Sequence, residues 1–387
     1  MYLVPLKLAS GQNYPPLSRF ANFQVMVYRV IGLMSGSSLD GLDVAFVHVD
    51  DSGGKWSYQL VHTDCIAYDD VLLARLKNAT QLSAYDYAVL HADYGRWIGE
   101  QINAFIEQYG LWHQVQLIAS HGHTTFHVPT IGVTGQIGCG ATIAAVTGIN
   151  VVSDLRIMDV ALGGQGAPIV PIGEKLLLGD YRYFLNLGGI ANISVNADTY
   201  LAYDVTAANR VLNMLVAPSG AAYDAGGAIA ATGKVDTPTL TQLNAQAFFK
   251  QAAPKSLAND FGTDVLYPIV ANAGLSMADA LCTFTEHIAM QIGYAVAAHY
   301  KGEPYGKMMI CGGGAFNTYL VERIQHYVKA CNITVEVPNS QLVAYKEALV
   351  MALLGVLRWR EENTVLHSVT GATRSSIGGA VWIGQEA

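Results

Sequence analysis

Three groups of residues in this sequence have types and spacings that could do chemistry. The first is "SDLRIMD", which supplies Asp154, Arg156 and Asp159 directly ahead of Gly163, Gly164, Gln165 and Gly166. A carboxylate at a strand end beside a flexible glycine loop is placed to act as a general base. Arg156 could equally do no more than bridge its acidic neighbours. The second group is "SHGHTTFHVP", with His121, His123 and His127 inside seven residues. His-x-His at a strand end can turn two imidazoles to one side, with Asp154 completing a metal site. The threonines and Pro129 read instead as a polar loop whose histidines meet substrate or backbone. The third group is a set of glycine-rich turns, each at the edge of an expected strand.

"SGSSLDGLD" offers Gly36, Ser37, Ser38, Leu39, Asp40, Gly41, Leu42 and Asp43. Its glycines let consecutive N–H groups face one concavity, and its serines add donors, which suits phosphate. Asp40 or Asp43 could hold hydrated Mg²⁺ there. An ordinary hairpin with soluble turn residues fits the same letters. "NLGGIANIS" repeats the device with Asn186, Gly188, Gly189 and Asn192, and is alone a Gly-Gly hairpin. "CGGGAFN" puts Gly312, Gly313, Gly314 and Asn317 between a strand and a helix, where a helix N-terminus favours an anion or a nucleotide. It is not G-x-G-x-x-G, and the chain has no G-x-x-x-x-G-K-[ST], which disfavours a Rossmann site and excludes a Walker NTPase. Asp204 in "AYDVTAANR" could anchor a cation or simply cap the next helix. Glu347, on the first turns of "AYKEALVMALL", could do no more than favour a helix N-terminus.

These groups need a scaffold. Val27–Met34 and Leu42–Val49 read as paired strands, continued by Trp56–Cys65. Tyr87, Leu90, Tyr94, Trp97, Ile102, Phe105 and Tyr109 form one apolar helix face. Val115–Ala119 and Asn150–Ser153 are short strands leading into the histidine and aspartate segments. The logic restarts at Tyr183–Leu187 and Asn192–Val195, followed by a strand at Tyr200–Tyr203. Helices are expected at Ala207–Val216, Ser276–Tyr300, Thr318–Ala330 and Gln341–Trp359, with a strand at Lys307–Ile310. A strand–glycine turn–strand unit followed by alternating strands and helices thus occurs twice, which is α/β character in two lobes.

The chain has 387 residues, 51% hydrophobic and 13% charged, enough for two to three domains with large cores and little disorder. A net charge of −8 without any basic run argues against nucleic acid. Five scattered cysteines read as reduced thiols in a cytoplasmic protein. No apolar run is read as a membrane span. The first 25 residues lack a charged–apolar–cleavage layout, so 1–26 is set aside as a leader of uncertain role.

The order of these motifs resembles the anhydro-N-acetylmuramic acid kinase family. The resemblance runs from about Ile31 to Trp382, through "GLMSGSSLDGLDVA", "SHGHTTFHVP", "TGINVVSDLRIMDVALGGQGAPIVP", "LNLGGIANIS", "GGGAFN" and "KEALVMALL". It implies the sugar kinase–actin–Hsp70 ATPase superfamily: two RNase H-like lobes, here 27–165 plus 363–387 and 166–362, closing over ATP and Mg²⁺. By the same resemblance Gly36–Asp43, Asn186, Gly188, Gly189, Asn192, Gly312–Gly314 and Asn317 serve ATP, and Asp159 is the catalytic base. His121, His123, Arg156, Gln165 and Glu347 fall on the substrate side, and Asp40 and Asp204 near the metal. The reaction implied opens a 1,6-anhydro bridge with water and phosphorylates O6, which needs one carboxylate rather than a glycosidase pair.

The sequence also departs from the family pattern. Ser37 stands for a threonine and His123 for a glutamine. Ala207-Ala208 replaces the Gly-Pro of a Gly-Pro-Gly turn, and "PKSLANDFG" lacks the family's arginine. The alternatives these departures leave open are a kinase of a different anhydro- or amino sugar and a family member that binds nucleotide without turnover. The partners expected are ATP and a small amino sugar, with no nucleic acid or membrane; a second copy of the chain is an open alternative.

Overall fold

The computed structural model describes residues 26–36, 39–258, 260–302 and 304–385. Residues 1–25 of the expected leader, Ser37 and Ser38 lie outside the described residues, while Met26 opens the first strand. Twelve strands among these residues form two sheets. In the first, Met26–Ser35 (β1), Leu42–Ser52 (β2) and Lys55–Ile66 (β3) make an antiparallel meander. Leu117–Val128 (β4) pairs parallel with β1, and Val133–Ile137 (β5) folds back on its far end. Val151–Ser153 (β6) extends the sheet beside β4. In the second sheet, Tyr183–Leu187 (β7), Ile190–Val195 (β8) and Leu201–Ala207 (β9) form another antiparallel meander. Gly306–Cys311 (β10) pairs parallel with β7, and Ile333–Glu336 (β11) with β10. Ala380–Trp382 (β12) returns to the first sheet antiparallel to β6. Both sheets therefore run third–second–first strand antiparallel, then outward from the first strand in parallel. This is the RNase H-like order, present twice, as the duplicated strand–turn–strand unit predicts.

The helices bury each sheet on both faces. Ala84–Tyr109 and Gly140–Thr147 cover the outer face of the first sheet, where Leu90, Tyr94, Ile98 and Ile102 pack with Ile31, Leu33 and Phe46. Asn209–Val216, Met277–His299 and Thr318–Val328 cover the outer face of the second, over Leu185, Ile193 and Ile310. Between the sheets lies Ser340–Trp359, whose Ala348–Leu354 run is buried throughout. It shares a core with Ala45, Val47 and Ala119 of the first sheet and Phe184, Met309 and Cys311 of the second.

That central helix is seated most closely on the first sheet. A Cβ on Gly32 of β1 would run into the Ala348 carbonyl, and one on Gly355 would lie 2.6 Å from Ala119 Cβ. Gly32 is required by this close approach. The expected boundary at 362 assigns this helix to the second lobe, whereas its closest packing is on β1, β2 and β4. Apolar periodicity cannot say which sheet a helix buried on all sides will meet. By length and composition this one described helix could cross a membrane; here it is the core of the molecule.

Two local expectations also shift. The histidine segment is strand rather than loop, because β4 continues to Val128 and pairs with β5. Ala207 closes β9, and the following helix starts at Asn209.

Candidate active site

The fold brings the "SDLRIMD" and histidine segments together at the end of β4 and β6. Asp159 lies in the first turn of the short helix Ile157–Ala161 and is completely buried. Its Oδ2 accepts from Gly166 N at 2.7 Å and its Oδ1 from Thr370 Oγ1 at 2.7 Å. Gln165 N donates to Thr370 O at 2.8 Å, so the glycine loop and the C-terminal segment grip the carboxylate together. Two charge-assisted hydrogen bonds fix its position.

Arg156 braces the same loop. Its Nε donates to His121 Nε2 at 2.8 Å and one terminal nitrogen to Gly166 O at 2.5 Å. A guanidinium only donates, so His121 Nε2 must be unprotonated. His121 Nδ1 then carries the proton and donates to Gly122 O at 2.8 Å. Burial first, and the Arg156 charge second, push the imidazole down to about 3, so it stays neutral. Burial also lowers Arg156 to about 10. These histidines orient one another's neighbours rather than forming a metal cage. His123, on β4 opposite Ser35, shares a 3.1 Å hydrogen bond with Ser35 Oγ. Tyr68 donates to Ser35 at 2.8 Å and meets Tyr94 at 2.9 Å, so a buried polar chain ends at the first glycine turn. His127 bonds Thr134 at 3.0 Å.

That first turn is narrow. Leu39 sits at φ 56° with its N–H on Gly36 O, and Gly41 faces Cys65 Sγ and Ile66 O so closely that a Cβ would lie 2.7 and 2.9 Å away. Leu42 is buried, while Asp43 pairs in register with Cys65. Burial, with Asp40 and Glu347 nearby, raises the Asp43 carboxyl to about 6, although its hydrogen bond with Cys65 pulls the other way. Burial first, then the hydrogen bond and charge of Asp43, with Asp40 and Asp64 nearby, push the Cys65 thiol up to about 12. Carboxylate oxygens are hard donors, a chemistry that suits a hydrated Mg²⁺. Among the described residues no three His, Cys, Asp or Glu side chains form a ready-made cage. Asp204 stands on the other side, its Oδ2 accepting from Leu257 N at 2.8 Å and Ser256 Oγ at 3.3 Å.

The other two turns belong to the second sheet and interlock. Gly188 O and Gly189 O accept from Asn209 N and Ala208 N, and Asn209 Nδ2 donates to Leu187 O at 2.8 Å. Gly312 sits at φ 81° against Asn186, and a Cβ on Gly314 would lie 2.6 Å from Leu187 Cβ. Asn317 caps the helix Thr318–Val328 through Leu320 N. Two cavities flank this glycine run. One of about 550 Å³ is lined by Asn209, Asn213, Tyr223, Gly313, Gly314 and Phe316. The other, about 970 Å³, lies between the sheets, with Gln165 and Thr370 at one side, Asn186, Asn192 and Gly312 at another, and Glu347 between.

The sequence model of the family described as "Anhydro-N-acetylmuramic acid kinase" matches residues 28–384. The chain belongs to that family. A relative of that name from Saccharophagus degradans is 34% identical over 370 residues, covering 91% of this chain and 98% of its own. One from Synechococcus elongatus is 32% identical over 385 residues, covering 92% and 99%. A third, from Gloeobacter violaceus, is 33% identical over 364 residues, covering 89% and 96%.

Within the anhydro-N-acetylmuramic acid kinase fold, the structure gathers Asp159, His121, Arg156 and Gln165 into one cluster. Gly312 and Glu347 open on the cleft cavity, and Gly313, Gly314 and Asn317 on the smaller one. The Ala207-Ala208 departure points into the hydrophobic core, between Asp204, which lines the cleft cavity, and Asn209, which lines the smaller one. Thr370 escaped the sequence reading because it approaches Asp159 from 211 positions away. The buried Lys346–Glu174 pair at 2.7 Å, with Tyr200 donating to Glu174 at 2.7 Å, also lines the cleft and had no signal beyond an isolated charge in an apolar helix.

Proposed function

We propose that this chain uses ATP and water to convert 1,6-anhydro-N-acetylmuramic acid into N-acetylmuramic acid 6-phosphate, a step in peptidoglycan recycling. The observation that carries the mechanism is the buried Asp159 carboxylate, aimed by Gly166 N and Thr370 Oγ1 beside a cleft that both sheets line. Asp159 takes a proton from a water molecule, and that water attacks C1 of the sugar. The C1–O6 bond breaks, and O6 bonds to the γ-phosphorus of ATP as the bond to ADP breaks. The leaving oxygen is trapped by phosphorus, so no second acid has to protonate it. Arg156 holds the glycine loop that holds Asp159, with His121 as its neutral acceptor. Gly36–Asp43, the Gly188-Gly189 turn and Gly312–Gly314 supply backbone N–H groups and close approach for the phosphates. Asp40, with Asp43 and Glu347 beside it, and Asp204 across the cleft would hold Mg²⁺. When bound, the ion neutralises charge on the phosphate oxygens. Among the described residues no disulfide joins the five cysteines, which fits a reducing cytoplasm.

Incubation of the purified protein with Mg-ATP and 1,6-anhydro-N-acetylmuramic acid, read by mass spectrometry, should give the ring-opened 6-phosphate. Asp159→Asn should lose turnover while keeping ATP affinity, because the amide retains the shape, its oxygen can accept from Gly166 N, and its NH2 can donate to the Thr370 hydroxyl. An active Asp159→Asn enzyme would remove Asp159 from this role.

A further inference from the structure

The interlobe cavity holds a cation that the proposed mechanism leaves unused. Lys255 lines it beside Asp204 and Ser256. Of the two lysines on its wall, Lys346 is neutralised by Glu174 at 2.7 Å, whereas no ion pair among the described residues includes Lys255. Its ammonium is nevertheless held in place. Nζ donates to Phe248 O at 3.0 Å and lies 4.4 Å from the centre of the Phe248 ring, with Phe249 on its other flank at 5.9 Å. Its backbone is fixed as well, since Lys255 O accepts from Asp204 N at 2.9 Å at the edge of β9. Partial burial lowers the lysine from its usual range. One of three ammonium donors is used, so two remain for a ligand. Gln251–Gly262 contains no other lysine or arginine.

A partly desolvated cation, aromatic on one side and short of acceptors, selects for an anion. The sugar named under the proposed function carries one at neutral pH: the carboxylate of the lactyl ether. We propose that Lys255 binds this carboxylate and makes the enzyme selective for anhydromuramic acids over anhydrosugars that lack the acidic side chain. The assignment rests on the kinase reading above. It makes Lys255 a specificity-determining residue beside the second sheet, while the base, Asp159, is held beside the first. Binding of the sugar thus draws on both lobes.

The test compares wild type, Lys255→Met and Lys255→Arg on two substrates, 1,6-anhydro-N-acetylmuramic acid and 1,6-anhydro-N-acetylglucosamine, which has a hydroxyl in place of the lactyl ether. Lys255→Met should raise KM for the acid about tenfold or more, the loss of a charge-assisted hydrogen bond. Lys255→Arg should restore most of it. KM for ATP, kcat with the acid, and kcat/KM with the neutral sugar should stay near wild type in Lys255→Met. Where the neutral sugar is not turned over, its inhibition constant against the acid serves in place of KM. Equal losses on both sugars, or an unchanged KM for the acid, overturn the assignment. Wild-type protein that turns over neither sugar defeats the kinase reading itself, and Lys255 with it. Should Lys255→Met fail to fold, Lys255→Gln provides the uncharged side chain.

Discussion

Gly164 offers a direct way to move the candidate base without changing it. A Cβ built on Gly164 would lie 2.7 Å from Asp159 Cγ and 2.8 Å from Ala372 Cβ, and closer still to Asp159 Oδ2. Ordinary contact begins at 3.4 Å, so the deficits are 3.4 − 2.7 = 0.7 Å toward the carboxyl carbon and 3.4 − 2.8 = 0.6 Å toward Ala372. Ala372 blocks one way out, and the carboxylate must therefore retreat by most of an ångström, losing alignment with Gly166 N and Thr370 Oγ1. Misplacement on that scale costs about 10²-fold in rate, or about 2.7 kcal/mol. Gly164→Ala should therefore lower kcat about 30- to 100-fold in a coupled ADP-release assay, with KM for ATP unchanged. The matched control is Gly163→Ala. Gly163 has φ 80° with open space around its Cβ position, so alanine there strains the backbone but pushes nothing. It should cost about 1–2 kcal/mol of stability and leave kcat within a few-fold of wild type. A Gly164→Ala enzyme with near-wild-type kcat and an intact fold would refute the assignment of Asp159 as a base whose position matters.

Two further predictions concern charges in the cleft. Asp43 has a folded-state value near 6 against 3.8 unfolded, so between those pH values the folded protein holds the extra proton. Stability must then fall as pH rises through that window. Asp43→Asn mimics the protonated form. Its melting temperature should match wild type below about pH 4 and exceed it increasingly toward pH 7, saturating above about 6; a constant offset across pH would contradict this. The Lys346–Glu174 pair is buried, at 9% and 4% side-chain exposure. Lys346→Met leaves an uncompensated carboxylate and should cost about 3–5 kcal/mol in denaturant unfolding, with much of it recovered by adding Glu174→Gln. Additive losses in the double variant would count against a coupled pair.

The parts of the site that are local in the chain were legible beforehand. Asp159 and Arg156 sit three residues apart before a glycine loop, and the three glycine turns announce themselves by composition. Two strand–turn–strand units predict two similar sheets, and both formed with the same strand order. What the sequence could not carry were contacts made across the fold. Thr370 and Asp159 are joined only by tertiary packing, as are Glu174, Tyr200 and Lys346. The Ser340–Trp359 helix reads as apolar on nearly every side, which states that it is buried but not against which sheet. The histidine segment looked like a loop because its polar residues mask a strand whose partner, β5, lies beyond a proline turn. Ala207-Ala208 drew attention as a departure near the ligand, yet both side chains fill the core of the second lobe.

The smaller cavity has a lining drawn from 209–226 and 313–317 alone, all on the second sheet and its helices, whereas the larger takes walls from both sheets. The two ligands are therefore linked differently to the angle between the lobes. A base in the smaller cavity would meet the same walls whether the cleft is open or shut, so the base itself, unlike the phosphates, would contribute no free energy toward closure. A sugar in the larger cavity touches both walls and gains contacts only as they approach, so its binding is thermodynamically coupled to that motion. On the proposed mechanism, docking of the base and closure of the cleft would then be separable steps, and the Asp159 carboxylate would meet its water beside C1 only once the sugar has drawn the walls together.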